Sequence, residues 1–142
     1  MDDQEGHMTK TEKKEILLRY TAIERRIKRL SDEKKRWEEK ATSISPSYSA
    51  MPKSAGEDKV QAAVCRIIEL EQQMDQEIDA QIDLRERIKL AISDLQDERL
   101  QDIMQYKYIA GKTLEWIAVE MHYSYKQICR LHEHALRDIK MS

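Results

Sequence analysis

The sequence predicts an all-α fold: a long antiparallel helical hairpin of the coiled-coil type, followed by a C-terminal group of shorter helices. Three observations carry that expectation. Apolar residues recur in steps of four and three over two long stretches, the mark of a helix packed along one seam. Charged residues make up 37% of the 142 and aromatic residues 6%, with no Phe, three Gly and two Pro, a balance that suits long solvated helices rather than a sheet. A Ser/Pro/Gly-rich segment between the two stretches has the chemistry of a connection.

Residues 1 to about 9 are polar and are expected to lack regular structure. The first seam then begins: Ile16, Tyr20, Ile23, Ile27, Leu30, Lys34, Trp37, Ala41, Ile44, with Lys34 its one charged member. No Gly or Pro interrupts residues 10–44, so one helix is expected there. Residues 42–56 read as a loop, with Ile44, Tyr48 and Met51 packing over the end of the hairpin. A second helix is expected from about Asp58 to Leu95. Its seam holds Val60, Val64, Ile67, Met74 and Ile78, with Glu71 intruding; after Ile78 the register slips to Leu84, Ile88, Ala91 and Leu95. Charge favours pairing of the two stretches. Residues 9–40 hold twelve Lys/Arg against seven Asp/Glu, and residues 57–95 hold five against ten. A hairpin within one chain and an exchange between two chains satisfy this equally. The expected domains are 1–95 and 96–142.

The third expected helix is Asp97 to Tyr108, with Leu100, Ile103, Met104 and Tyr108 on one face and Gly111 just past its end. Thr113 is an N-cap residue, and Glu115 places a negative charge in the first turn that follows. Leu114, Ile117, Met121, Tyr123, Ile128 and Leu131 have the spacing of two short helices packed across a tight turn, with small Ala118 allowing close approach. His122 is the turn residue, in the left-handed conformation that usually calls for Gly. Ser124 caps the last helix, which runs to about Ile139.

On a helical wheel Ile128, Leu131, Ala135 and Ile139 form an inner face. Lys126, Arg130 and Arg137 lie opposite, flanked by Gln127, Glu133 and His134. The amide of Gln127 and the guanidinium of Arg130 match base edges in the major groove of DNA. A helix offering such groups from its N-terminal half docks in the manner of a helix-turn-helix. The expected DNA-binding residues are therefore Thr113, Tyr125, Lys126, Gln127, Arg130, His134 and Arg137. Tyr125, Lys126, Gln127 and Arg130 would reach bases or nearby phosphates, His134 and Arg137 would touch the backbone, and Thr113 with its helix N-terminus would hold a phosphate.

A family resemblance enters on these residues. Gly111-Lys112-Thr113-Leu114, Ile117-Ala118 with Glu120, then Ser124, Ile128, Leu131, Ala135-Leu136 and Ile139 resemble the helix-turn-helix of region four of bacterial sigma factors. His122 stands where that family usually has Gly, and Tyr125 and Cys129 where it often has Arg. Most of the chain, including Ala41 to Pro52, is similar to short phage-encoded proteins with a sigma-like C-terminus, neighbours of the ArpU and RinA type regulators of phage late genes. The resemblance implies transcription regulation on double-stranded DNA, with the N-terminal hairpin setting a homodimer or contacting RNA polymerase. The alternative is an adaptor that binds RNA polymerase or another regulator without reading DNA. A structural coiled-coil protein of a phage particle is a third, weaker reading.

Other chemistry finds little footing. No P-loop, nucleotide-binding glycine motif or nucleophile elbow is present, so an enzyme is not expected, nor any cofactor. His132 and His134 sit two apart and diverge on a helix, so no metal is expected and both read as solvated or phosphate-facing. Trp37 and Trp116 read as seam or core residues. Cys65 and Cys129 form no CxxC pair, which fits a reduced host cytoplasm. No apolar run is long enough to cross a bilayer.

Overall fold

The computed structural model describes residues 8–47 and 53–141. The described residues are all-helical, as expected, with no strand. Five helices follow in order: α1 Lys10–Ser47, α2 Lys53–Ser93, α3 Glu98–Met104 continuing into a π turn at Gln105–Ile109, α4 Leu114–Met121 and α5 Tyr125–Asp138. No helix among the described residues is long and apolar enough to cross a membrane.

The loop expected over 42–56 is shorter than its composition implied, because α1 runs to Ser47 and α2 begins at Lys53. Hydroxyls break helices by competing for backbone groups. Here they bond within the helix instead: Thr42 Oγ1 donates to Glu38 O at 2.9 Å and Ser43 Oγ to Lys40 O at 3.1 Å. The packing expected of Tyr48 and Met51, and of the Ile44 side chain, lies outside the described residues, as does the character of residues 1–7.

The chain forms two compact units, Ile23–Ala80 and residues 1–22 together with 81–142. The expected division at 95/96 does not coincide with this one, since residues 81–95 belong with the C-terminal helices.

In the unit 23–80, α1 follows its expected seam. Ile23 is buried, and Ile27, Leu30, Lys34, Trp37 and Ala41 are half-buried. On α2 the expectation fails in part. Val64 is 44% exposed, while Ala63 and Leu70 are buried. Taken from Ala63, positions of low exposure recur in steps of four and three: Ile67, Leu70, Met74, Glu77, Gln81, Leu84, Ile88, Ala91, Leu95. There is no register slip. The apolar side chains of Val60 and Val64 drew the seam one residue off, while small Ala63 and the polar Glu77 and Gln81 hid the true one. The two apparent intruders explain each other, since Lys34 Nζ lies 3.1 Å from Glu71 Oε1. Arg26 likewise meets Glu77 at 3.3 Å, and Arg66 meets Glu33 at 2.8 Å. Later positions on α1 thus meet earlier positions on α2.

In the other unit, Leu17 and Tyr20 of α1 and Leu84, Ile88, Ile92 and Leu95 of α2 are buried. Asp97 caps α3 by accepting from Arg99 N at 2.9 Å, and Gln101 Nε2 donates to Leu95 O at 2.6 Å. Leu100, Ile103, Met104 and Tyr108 are all buried, the face expected of them. The π turn closes with Ala110 N donating to Gln105 O at 3.0 Å, and Gly111 follows at φ 71°. Ile103, Ile117, Ala118 and Ile128 then make one apolar cluster. Each fully buried Ile contributes roughly 1.5–3 kcal/mol.

His122 occupies the left-handed region at φ 61°, ψ 39°, as the sequence led one to expect. An L-residue there costs on the order of 1–2 kcal/mol. His122→Gly is therefore expected to raise stability by up to about 1 kcal/mol once the looser unfolded chain is allowed for, read as a higher denaturation midpoint at unchanged m-value.

Candidate nucleic-acid interface

α4 and α5 are each capped by the residue the sequence singled out. Thr113 Oγ1 accepts from Trp116 N at 3.1 Å and Ser124 Oγ accepts from Gln127 N at 3.1 Å. Between them Tyr123 N donates to Ala118 O at 3.0 Å, closing the turn at His122. α5 is strongly two-sided. Ile128, His132, Ala135, Leu136 and Ile139 are buried, while Tyr125, Lys126, Gln127, Arg130, Glu133, His134 and Arg137 are exposed.

Among the residues expected to touch DNA, Lys126, Arg130 and Arg137 present their side chains at steps of four and seven along this exposed side. Arg137 is held through its backbone, where its carbonyl accepts from Lys13 Nζ at 2.9 Å. Tyr125 is 51% exposed, and hydrogen bonding with Cys129 one turn on, then the Glu115 carboxylate, raise its pKa. Gln127 has a second task. Its Oε1 accepts from Ser124 N at 2.9 Å, completing a capping box. That bond fixes the amide against the backbone and leaves its nitrogen as the outward group. His134 Nε2 lies 3.1 Å from Asp138 Oδ2, so a phosphate would compete with that carboxylate. Thr113 is exposed, but its hydroxyl is engaged in the cap.

One feature of the electrostatics has no local signal in the sequence. Glu133 would place a negative charge in the middle of the cationic stripe, and Lys10 of α1 pairs with it. The ammonium holds the Glu133 carboxyl below its usual range. Lys13, one turn on, donates to Leu136 O at 3.0 Å as well as to Arg137 O, satisfying last-turn carbonyls of α5. Burial lowers its pKa.

Two expectations need correction. His132 is not solvated. It is 4% exposed, its Nε2 lies 2.7 Å from the Tyr108 hydroxyl, and the two rings stack at 5.7 Å between centroids. Polarity gives a His three residues before Ala135 no local signal of burial; the Tyr108 hydroxyl, 24 residues away, supplies the partner that permits it. Trp116 is not core either. It is 39% exposed, edge-on to Tyr106 at 5.3 Å, with Lys112 Nζ 4.8 Å from the ring centroid. Beside it Val119 is 77% exposed. Among the described residues no group of three His, Cys, Asp or Glu is arranged to hold a metal ion. No protein family, curated protein or solved structure matches the chain.

With its ring hydrogen on Nδ1, a neutral His132 accepts a hydrogen bond from the Tyr108 hydroxyl at Nε2; a protonated ring would have two donors and no acceptor. Burial accordingly pushes the His132 pKa down to about 4 and the Tyr108 pKa up. Below its ordinary pKa near 6.5 the unfolded chain binds a proton that the folded one refuses until about pH 4. Stability contributed by neutral His132 is thus complete above about pH 6.5 and is lost between there and pH 4, on the order of 2–3 kcal/mol. His132→Gln, which keeps an acceptor for Tyr108, is expected to flatten that part of the stability–pH curve, measured by urea unfolding at half-unit steps. An equally steep variant would assign the slope to other groups.

Proposed function

We propose that the chain is a sequence-specific DNA-binding transcriptional regulator of the phage sigma-like kind, with α4 and α5 as its helix-turn-helix. The observation that carries this reading is the exposed side of α5. It offers Lys126, Arg130 and Arg137 from a helix whose other side is buried, and its one central carboxylate is already paired with Lys10. The first turn of α5 holds no acidic residue, so its free backbone N–H groups and dipole favour a phosphate.

In this reading α5 enters the major groove. Arg130 pairs with a guanine edge, Lys126 and Tyr125 reach bases or phosphates beside it, and Arg137 meets the backbone further along. Gln127 holds the helix start in shape and offers only its amide nitrogen to a base. His134 serves the backbone when a phosphate displaces Asp138, and the helix start at Thr113 meets a phosphate through N–H groups rather than its hydroxyl. The long helices make an antiparallel coiled-coil arm, supported by the order of the ion pairs between α1 and α2. That arm sets a homodimer on a two-part site or touches RNA polymerase. The host cytoplasm is the compartment, and neither a cofactor nor catalysis has a part.

A second reading, an adaptor without DNA readout, draws on the exposed Trp116 and Val119 of α4. Apolar anchors of this kind belong to protein interfaces rather than phosphate contacts.

Selection of bound fragments from the cognate genome, followed by footprinting, separates the two. Arg130→Ala is expected to lower affinity for the selected site by about 1–3 kcal/mol while binding to random duplex changes far less. Trp116→Ala is expected to leave that site's affinity unchanged. The reverse pattern, with Trp116→Ala abolishing recruitment of a protein and Arg130→Ala silent, would establish the adaptor.

A further inference from the structure

The positive excess of α1 is not neutralised by α2. Among the ion pairs of the described residues in the unit 23–80, Arg26 and Lys34 of α1 meet Glu77 and Glu71 of α2, while another interhelical pair runs the other way, from Arg66 to Glu33. The cations Arg25, Lys28, Arg29, Lys35, Arg36 and Lys40 are all exposed. At 100° per residue these six fall within an arc of about 140°, opposite the half-buried seam. Only Asp32 and Glu39 share the arc, so every side chain on it from 25 to 40 is charged and six of the eight are positive. Among the described residues Arg25, Lys28, Arg29 and Lys35 have no ion-pair partner. The face extends about 22 Å at 1.5 Å per residue. Along one edge Arg29 and Arg36 join Arg26, Gln73 and Gln76 in a groove whose wall also carries Asp32, Glu33 and Glu77, with Glu33 paired to Arg66 and Glu77 to Arg26, so the cations free to meet a phosphate lie on the open arc beside it.

We propose that this face of α1 is a contact for the phosphate backbone of duplex DNA, indifferent to sequence and separate from α5. A protein partner would want apolar anchors, and the arc has none between 25 and 40. A phosphate backbone wants a row of cations, Arg forks above all, and needs no apolar anchor. The surface needs no base readout by α5, and it supplies the charge that a C-terminal segment with seven Lys/Arg against seven Asp/Glu does not.

The test uses the full chain and a random-sequence duplex, with affinity read by fluorescence anisotropy from 50 to 200 mM salt. The variant R25Q/K28Q/R29Q/K35Q alters exposed side chains only, and circular dichroism and Tm confirm its fold. Its plot of log affinity against log salt is expected to be shallower by about three to four, and its affinity at 100 mM salt at least about tenfold lower. Arg130→Ala is measured alongside. If α5 does not read DNA, wild type shows no preferred site, yet the fourfold variant still loses duplex binding. A fourfold variant with the wild-type slope and affinity overturns the proposal, whatever Arg130→Ala does. So does a wild type that ignores duplex at 50 mM salt, or that uses this face only to capture an acidic protein.

Discussion

Ile128, His132, Ala135, Leu136 and Ile139 turn one side of α5 into the interior of its unit, and that burial fixes what the other side can offer. A helix has one azimuth to give away. Once these five are inside, Lys126, Arg130, Glu133, His134 and Arg137 must face water. The bond between His132 and Tyr108 tightens the constraint, because a buried imidazole must keep its partner or bear the full cost of desolvation. α5 therefore cannot rotate without stranding two polar groups, and the cationic stripe holds its direction.

The start of α1 adds a second layer of control. Lys10 and Lys13 lie one turn apart and approach α5 near its C-terminal end, one through Glu133 and the other through the carbonyls of Leu136 and Arg137. Exposed ion pairs of this kind contribute little to stability. Their effect is on the field: Lys10 offsets the Glu133 carboxylate within the stripe, and Lys13 sits at the negative end of the helix dipole. Residues 8–22 thus belong to the C-terminal unit in charge as well as in packing.

Much of this was legible. The seam of α1, the caps Thr113 and Ser124, the left-handed His122 and the inner face of α3 follow from residues within a few positions of one another. The seam of α2 was not. Ala63 is small and Glu77 and Gln81 are polar, so these buried or half-buried positions carry no apolar signal, while Val64, which does, faces water. Lys34 and Glu71 each looked like a flaw in its own helix and are partners only when both helices are in view. The Ser/Thr run after residue 41 promised a loop, yet its first hydroxyls find acceptors inside the helix.

The candidate site divides the same way. That α5 would carry a cationic side from Lys126 to Arg137 was set by the sequence alone, because helical periodicity and capping act over three or four residues. That His132 would be buried, that Glu133 would be neutralised and that Gln127 would face its own cap was decided by the folded chain. Tyr108 and His132 are 24 residues apart, and Lys10 and Glu133 are 123 apart. Contacts across such separations leave no period in the sequence; they exist only after packing has brought the helices together.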